Sequence, residues 1–194
     1  MSTKATAKPS GGFTLIEMAI ALTILGVVMI GGFDAMRSQM TKRRMEQTQI
    51  SMQEIQQALL GFITVNGRLP CAAVDQANPT GVEECSPVTE SGLLPWVTLG
   101  VKPADPWGRT YRYYVTSAFT SSFATDAVAP LGDLTVRNFS DTADIALQVP
   151  VLIISYGRNG QSDAKIDTAE YRLGSDDILL WVPTDVLKYQ KIRS

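Results

Sequence analysis

The sequence predicts an α+β fold: a long N-terminal helix packed on a small, mainly antiparallel β-sheet. Three observations carry this. Residues 13–33 form an apolar run in which Glu17 is the only charge, the following thirty residues keep helical periodicity, and the C-terminal half alternates in the manner of strands. With 194 residues the chain is long enough for one globular domain plus an appendage.

Residues 1–12 are short and polar, with Lys4, Lys8, Pro9 and the Gly11-Gly12 pair. They resemble the first part of a signal peptide, yet no small-residue cleavage site follows the apolar run. The break in character comes instead at Gly12-Phe13. From Phe13 the run is long enough to span a bilayer, whose hydrocarbon core needs about 20 apolar helical residues. An acid there costs about 2.5–3.5 kcal/mol, so Glu17 calls for a partner and marks a functional site.

The helix is expected to continue to Gly67, with a soft spot at Gly31-Gly32. Beyond Asp34 it becomes amphipathic. Met45, Met52 and Leu59 recur every seven residues, as do Thr48, Ile55 and Phe62, and these form the face that packs on the sheet. Pro70 prevents further helix. Residues 68–106 are rich in Pro, Gly and Ser and read as an irregular loop around Cys71 and Cys85. Strands are expected at Thr110–Thr116, Leu134–Phe139, Val149–Tyr156 and Ile178–Val182, with a turn at Asn159-Gly160.

Composition narrows function. The net charge of -2 offers no basic field for nucleic acid, so none is expected as a partner. Histidine is absent, which removes the commonest general base, the Ser-His and Cys-His pairs and imidazole metal sites. Two cysteines are too few soft ligands for zinc. In an exported domain they read as one disulfide, and in a cytosolic one as two buried thiols. Lys4 and Lys8 precede the span while Arg37, Lys42, Arg43 and Arg44 follow it, so the positive-inside rule does not settle the orientation by itself.

Gly12-Phe13-Thr14-Leu15-Ile16-Glu17, followed by Ala19 to Val28, resembles the N-terminal processing segment of type IV pilins and pseudopilins. The resemblance implies a pilin-like fold and three parts: a leader at 1–12 that is removed, a helix at 13–67, and a periplasmic or extracellular head at 68–194. It implies that a prepilin peptidase cuts between Gly12 and Phe13 and methylates the new Phe13 amine. Glu17 then faces the Phe13 amine of a neighbouring subunit, which neutralises two charges in an apolar setting. The remaining partners implied are the inner membrane, other pilin or pseudopilin subunits, and the assembly platform of a pilus or secretion system. No cofactor is required.

The resemblance extends into the head. Asp105-Pro106-Trp107-Gly108 is similar to a turn of type II secretion pseudopilins, in which Trp107 is expected to pin the turn on the helix. Leu69-Pro70-Cys71, Gly92 to Trp96, Ser155 to Gly160 and Asp176 to Trp181 are similar to pilin-like proteins with paired cysteines. Two departures favour a minor, specialised subunit: Asp34 stands where many relatives have proline, and the head is longer and carries cysteines. Asp163, Asp167, Asp176 and Asp177 cluster near the last strands. By resemblance Asp163, Asp176 and Asp177 are candidates for calcium, a hard ion that takes oxygen ligands. Their spacing is not that of an EF-hand, and solvated turn acids are the competing reading. Beside the structural subunit stand two other functions: a fibre-tip module that binds DNA, a surface or a secreted substrate through the cysteine loop, and a membrane-anchored periplasmic enzyme. The loop has acids and no Lys or Arg, and no motif nominates a reaction.

Overall fold

The computed structural model describes residues 12, 14–125, 130–137, 143–162, 166–167, 170–172 and 176–192, without the side chains of 28–35, 166–167 and 170–172. The chain divides into two compact units, Met1–Lys42 and Arg43–Ser194. Helix α1 covers Leu15–Asn66 and is continuous through Gly31 and Gly32. It stops at Gly67, whose φ of 67° needs no Cβ and whose N–H donates to Ile63 O at 2.7 Å.

The head of the second unit is an α+β assembly, with two sheets where the sequence led us to expect one. The first sheet has the order β1-β2-β5-β8, built from Ser91–Leu93, Arg112–Val115, Val151–Ser155 and Ile178–Val182, and is antiparallel throughout. The second has the order β4-β3-β7-β6, built from Asp144–Val149, Leu134–Arg137, Glu170–Arg172 and Ile166–Asp167, with β3 and β7 parallel. Two short helices, α2 at Trp96–Leu99 and α3 at Thr184–Ile192, complete it.

Side-chain alternation explains the layering. Tyr111, Tyr113, Val115, Val151 and Ile153 point to one side and pack with Met52, Ile55, Leu59 and Ile63 of α1. Tyr114, Leu152 and Ile154 point to the other and pack with Leu134, Val136 and Val149 of the second sheet. β5 is therefore buried on both faces, which is why it reads as an unbroken apolar run. On the helix the seven-residue pattern holds at Met52, Ile55 and Leu59, but the next buried position is Ile63, while Phe62 is half-buried. At about 3.6 residues per turn a straight helix drifts by about 20° per heptad, enough to move the seam by one residue. Thr48 is buried on the same face because its hydroxyl donates to Arg44 O at 2.9 Å.

The expected strand Val149–Tyr156 is divided. Pro150 has no N–H for a ladder, so Val149 closes β4 and Val151 opens β5, and the chain passes from one sheet to the other there. Gln148 takes a φ of 55° at this corner, and Thr184 Oγ1 donates to its carbonyl at 3.0 Å. A Cβ on Gly132 would lie 2.1 Å from the Val149 carbonyl carbon, so only glycine lets that backbone pass.

Leu59→Ala is expected to cost about 2–5 kcal/mol in urea unfolding, because it opens a cavity in the core that Leu59 shares with Tyr111 and Tyr113. Val65→Ala, on the exposed side of the same helix, should stay within about 0.5 kcal/mol.

Candidate functional site

The N-terminal unit carries the first candidate site. Leu15, Ile16, Met18, Ile20, Leu22, Ile24, Leu25 and Val27 are all exposed, Leu15 at 93%, and together they cover every side of the helix. An apolar surface of this extent in water is unfavourable and calls for lipid or another protein surface. Among the described residues no helix is long and apolar enough to cross a membrane; Phe13 and the side chains of 28–33, which complete the expected span, lie outside them.

Glu17 sits in the first turn of this helix. Its backbone N–H donates to Thr14 Oγ1 at 3.4 Å, and its Oε2 accepts from the Thr14 N–H at 3.5 Å. This is a capping box, in which Thr14 and Glu17 satisfy each other's orphan donors at the helix start. Thr14-x-x-Glu17 is legible as such in the sequence. Both contacts are long and exposed, so the carboxylate is held beside the helix start without being consumed there. Gly12 is exposed, with nothing within 4 Å of where a Cβ would stand. Phe13, its partner at the expected cut, lies outside the described residues.

The second site surrounds the cysteines. Cys71 and Cys85 form a disulfide with Cα atoms 5.4 Å apart. Closing a loop of this size is worth about 3 kcal/mol in the chain-entropy picture. The bridge consumes both sulfurs of Cys71, Glu83 and Cys85, the one trio of potential metal ligands brought together among the described residues. Glu83 has another role. Its two oxygens accept from Arg68 Nη1 at 2.8 Å and Nη2 at 2.9 Å, and Oε2 also accepts from the Cys71 N–H at 3.0 Å. Arg68 in turn donates to Leu69 O and lies 5.3 Å from the centre of the Phe62 ring. The end of α1 is thus tied to the far side of the cysteine loop. Asp75 of the same loop pairs with Arg112 on β2. Trp96 covers Gly81 so closely that a Cβ there would fall 2.0 Å from the indole, and Ala73 pairs with Leu93 to cover the β1 edge. The irregular loop is a fastened part of the head.

In the Asp105 turn the carboxylate is the anchor. Trp107 is only half-buried and belongs to neither core, so the expectation that it pins the turn on the helix is corrected. Asp105 is buried; Oδ1 accepts from the N–H groups of Trp107 and Arg109, and Oδ2 accepts from Ser155 Oγ at 2.7 Å. Arg109 then donates to the carbonyls of Gly157 and Arg158 and fixes the turn before Gly160. Asp176 closes this corner from the other side, accepting from the Asn159 N–H at 2.9 Å through Oδ2, while its Oδ1 is buried with no hydrogen-bond partner. Asp177 follows it and is buried. Asp163 and the Asp167 side chain lie outside the described residues, so the corner offers part of a hard-oxygen ligand set.

Burial pushes the Tyr111 hydroxyl up to about 12 and moves Tyr113 well above its ordinary value, so both stay neutral. Tyr113 donates to Pro70 O at 2.9 Å, between sheet and loop.

The family described as "Prokaryotic N-terminal methylation motif" matches residues 8–33. No curated protein and no solved structure matches the chain.

The Arg68 hydrogen bonds, aided by the Cys71 N–H, hold the Glu83 carboxyl below the usual range. A lowered folded value means stability that is complete above the unfolded value of about 4.3 and is lost as pH falls through the folded one. Glu83→Gln should therefore lower stability by about 2 kcal/mol at pH 7 and remove this acid-labile component. Melting temperatures across the acid range check it; equal acid sensitivity in both proteins would refute the assignment.

Proposed function

We propose that this chain, which carries the type IV pilin and pseudopilin signature at residues 8–33, is a minor pilin or pseudopilin. In this reading a prepilin peptidase removes residues 1–12 and methylates the Phe13 amine. Residues 13–33 hold the protein in the inner membrane with the head in the periplasm. The subunit then joins a type IV pilus or a type II secretion pseudopilus through other pilin-like subunits and an assembly platform. Its role is structural, and the chain is a substrate of an enzyme and not one itself.

The observation that carries the reading is the helix surface from Leu15 to Val27. It is apolar on every side, exposed, and interrupted by a single carboxylate at the helix start. Lipid covers such a surface in one state and neighbouring helices cover it in another. Glu17 fits both. Its capping contacts keep it at the helix start, and the amine that cleavage would create on Phe13 of a neighbouring subunit supplies the opposite charge. The fastened cysteine loop favours a scaffold over a tip-binding module, because two of its acids are already paired within the head.

Calcium at the Asp176–Asp177 corner is proposed with this reading, supported by the buried Asp176 Oδ1. Asp163, Asp176 and Asp177 would hold it and lock the 157–160 turn to β8. Millimolar calcium should then raise the melting temperature of the wild-type protein and not of Asp176→Asn. An unchanged wild-type melt would end the idea.

Mass spectrometry of the protein from its native host is expected to find a chain that begins at Phe13 with one methyl group. An intact Met1 or Ser2 end would overturn the reading. Glu17→Val should still insert in the membrane yet be lost from the fibre; normal incorporation would contradict the charge pairing.

A further inference from the structure

Four cations occupy α1 just beyond the apolar segment. From Ala35 to Met45 the sequence contains Arg37, Lys42, Arg43 and Arg44 and no acid. All four are exposed, and Met36 and Met40 among them are exposed as well. Several basic side chains of the head are committed instead. Arg68 pairs with Glu83, Arg112 with Asp75 and Arg137 with Asp144, Arg109 binds two carbonyls, and Lys191 binds Ser122 and Phe123. Arg37, Lys42, Arg43 and Arg44 have no side-chain partner among the described residues, and Glu46 does not pair with Lys42 one turn away. Four cations without a side-chain partner among the described residues therefore collect just beyond the apolar segment.

We propose that these four residues form a cationic collar that binds anionic lipid headgroups at the outer face of the membrane. The proposal rests on the membrane-anchored reading above. Its chemistry is that of a juxtamembrane basic segment: headgroup phosphates attract Lys and Arg at the surface, each cation favouring an anionic surface by a factor of about five. The exposed methionines give the same stretch an apolar part for the interfacial zone, and the long Arg and Lys stems reach past them to the phosphates. Continuity with the apolar segment favours lipid over protein. A second copy's head, which has more acids than bases, is the competing partner. A collar of this kind would also hold the subunit in the bilayer by a screenable contact, so that extraction into a fibre weakens it without breaking a covalent bond.

The test uses the full chain reconstituted in vesicles of phosphatidylcholine with a minority of phosphatidylglycerol, re-extracted in mild detergent, with the retained lipid quantified. Wild type is expected to retain phosphatidylglycerol about fivefold or more above its bulk share, and to lose the enrichment in high salt. The variant Arg37→Gln/Lys42→Gln/Arg43→Gln/Arg44→Gln should insert equally well and retain lipid at the bulk ratio. Glutamine keeps helix propensity, and circular dichroism verifies the fold. Enrichment that survives in the variant overturns the proposal. So does wild-type insertion with lipid at the bulk ratio, which leaves the anchored reading standing; carbodiimide cross-links from Lys42 to a second copy's acids would then assign the collar to the fibre. Failure of wild type to insert in any vesicle overturns both readings.

Discussion

One constraint organises this protein: a single helix carries two kinds of apolar surface, and among the described residues only one of them is covered. From Thr48 to Ile63 the apolar residues form a stripe, and the first sheet buries it completely. From Leu15 to Val27 they surround the helix, and all of them stand exposed. A stripe needs one partner layer, whereas a fully apolar cylinder needs an apolar medium or a ring of similar helices. The head's compactness and the N-terminal unit's incompleteness both follow from this difference.

The head is built to hold that stripe. Sheet one is buried on both faces, with α1 on one side and the second sheet on the other, so its central strand β5 has no wet face. Pro150 makes the layering possible, since it ends one ladder and lets the next residue enter the other. The C-terminal end of the stripe is then tied down by polar contacts of a different kind. Arg68 and Glu83 fasten the helix end to the disulfide loop, and Gln190 of α3 donates to Thr64 Oγ1 on α1 at 2.9 Å.

Features with a local signal were legible in the sequence. The helix, its stop at Gly67, and strands β2, β5 and β8 follow from periodicity and turn residues, and the Gly12–Glu17 segment announces itself by one acid in an apolar run. β4 misleads because its alternation runs the wrong way: Ile145 and Leu147 face outward while the smaller Ala146 packs on the second core. β1 is three residues long and contains a glycine, and β6 and β7 are shorter than any reliable pattern. α3 has the signals of a helix start in Pro183 and Asp185 but only Thr184 and Leu187 buried, so its apolar stripe is too thin to stand out. The Arg68–Glu83 and Asp105–Ser155 contacts could not be read at all, since they join residues that only the fold brings together.

In the proposed function the exposed cylinder is the working surface of the molecule, with Glu17 as its one electrostatic mark. Labelling in native membranes tests this most directly. A full-length protein with Leu25→Cys, treated with a membrane-impermeant maleimide, should be protected, while Val65→Cys at the exposed end of the same helix reacts. Equal labelling at both positions would place the apolar segment in water and contradict the account.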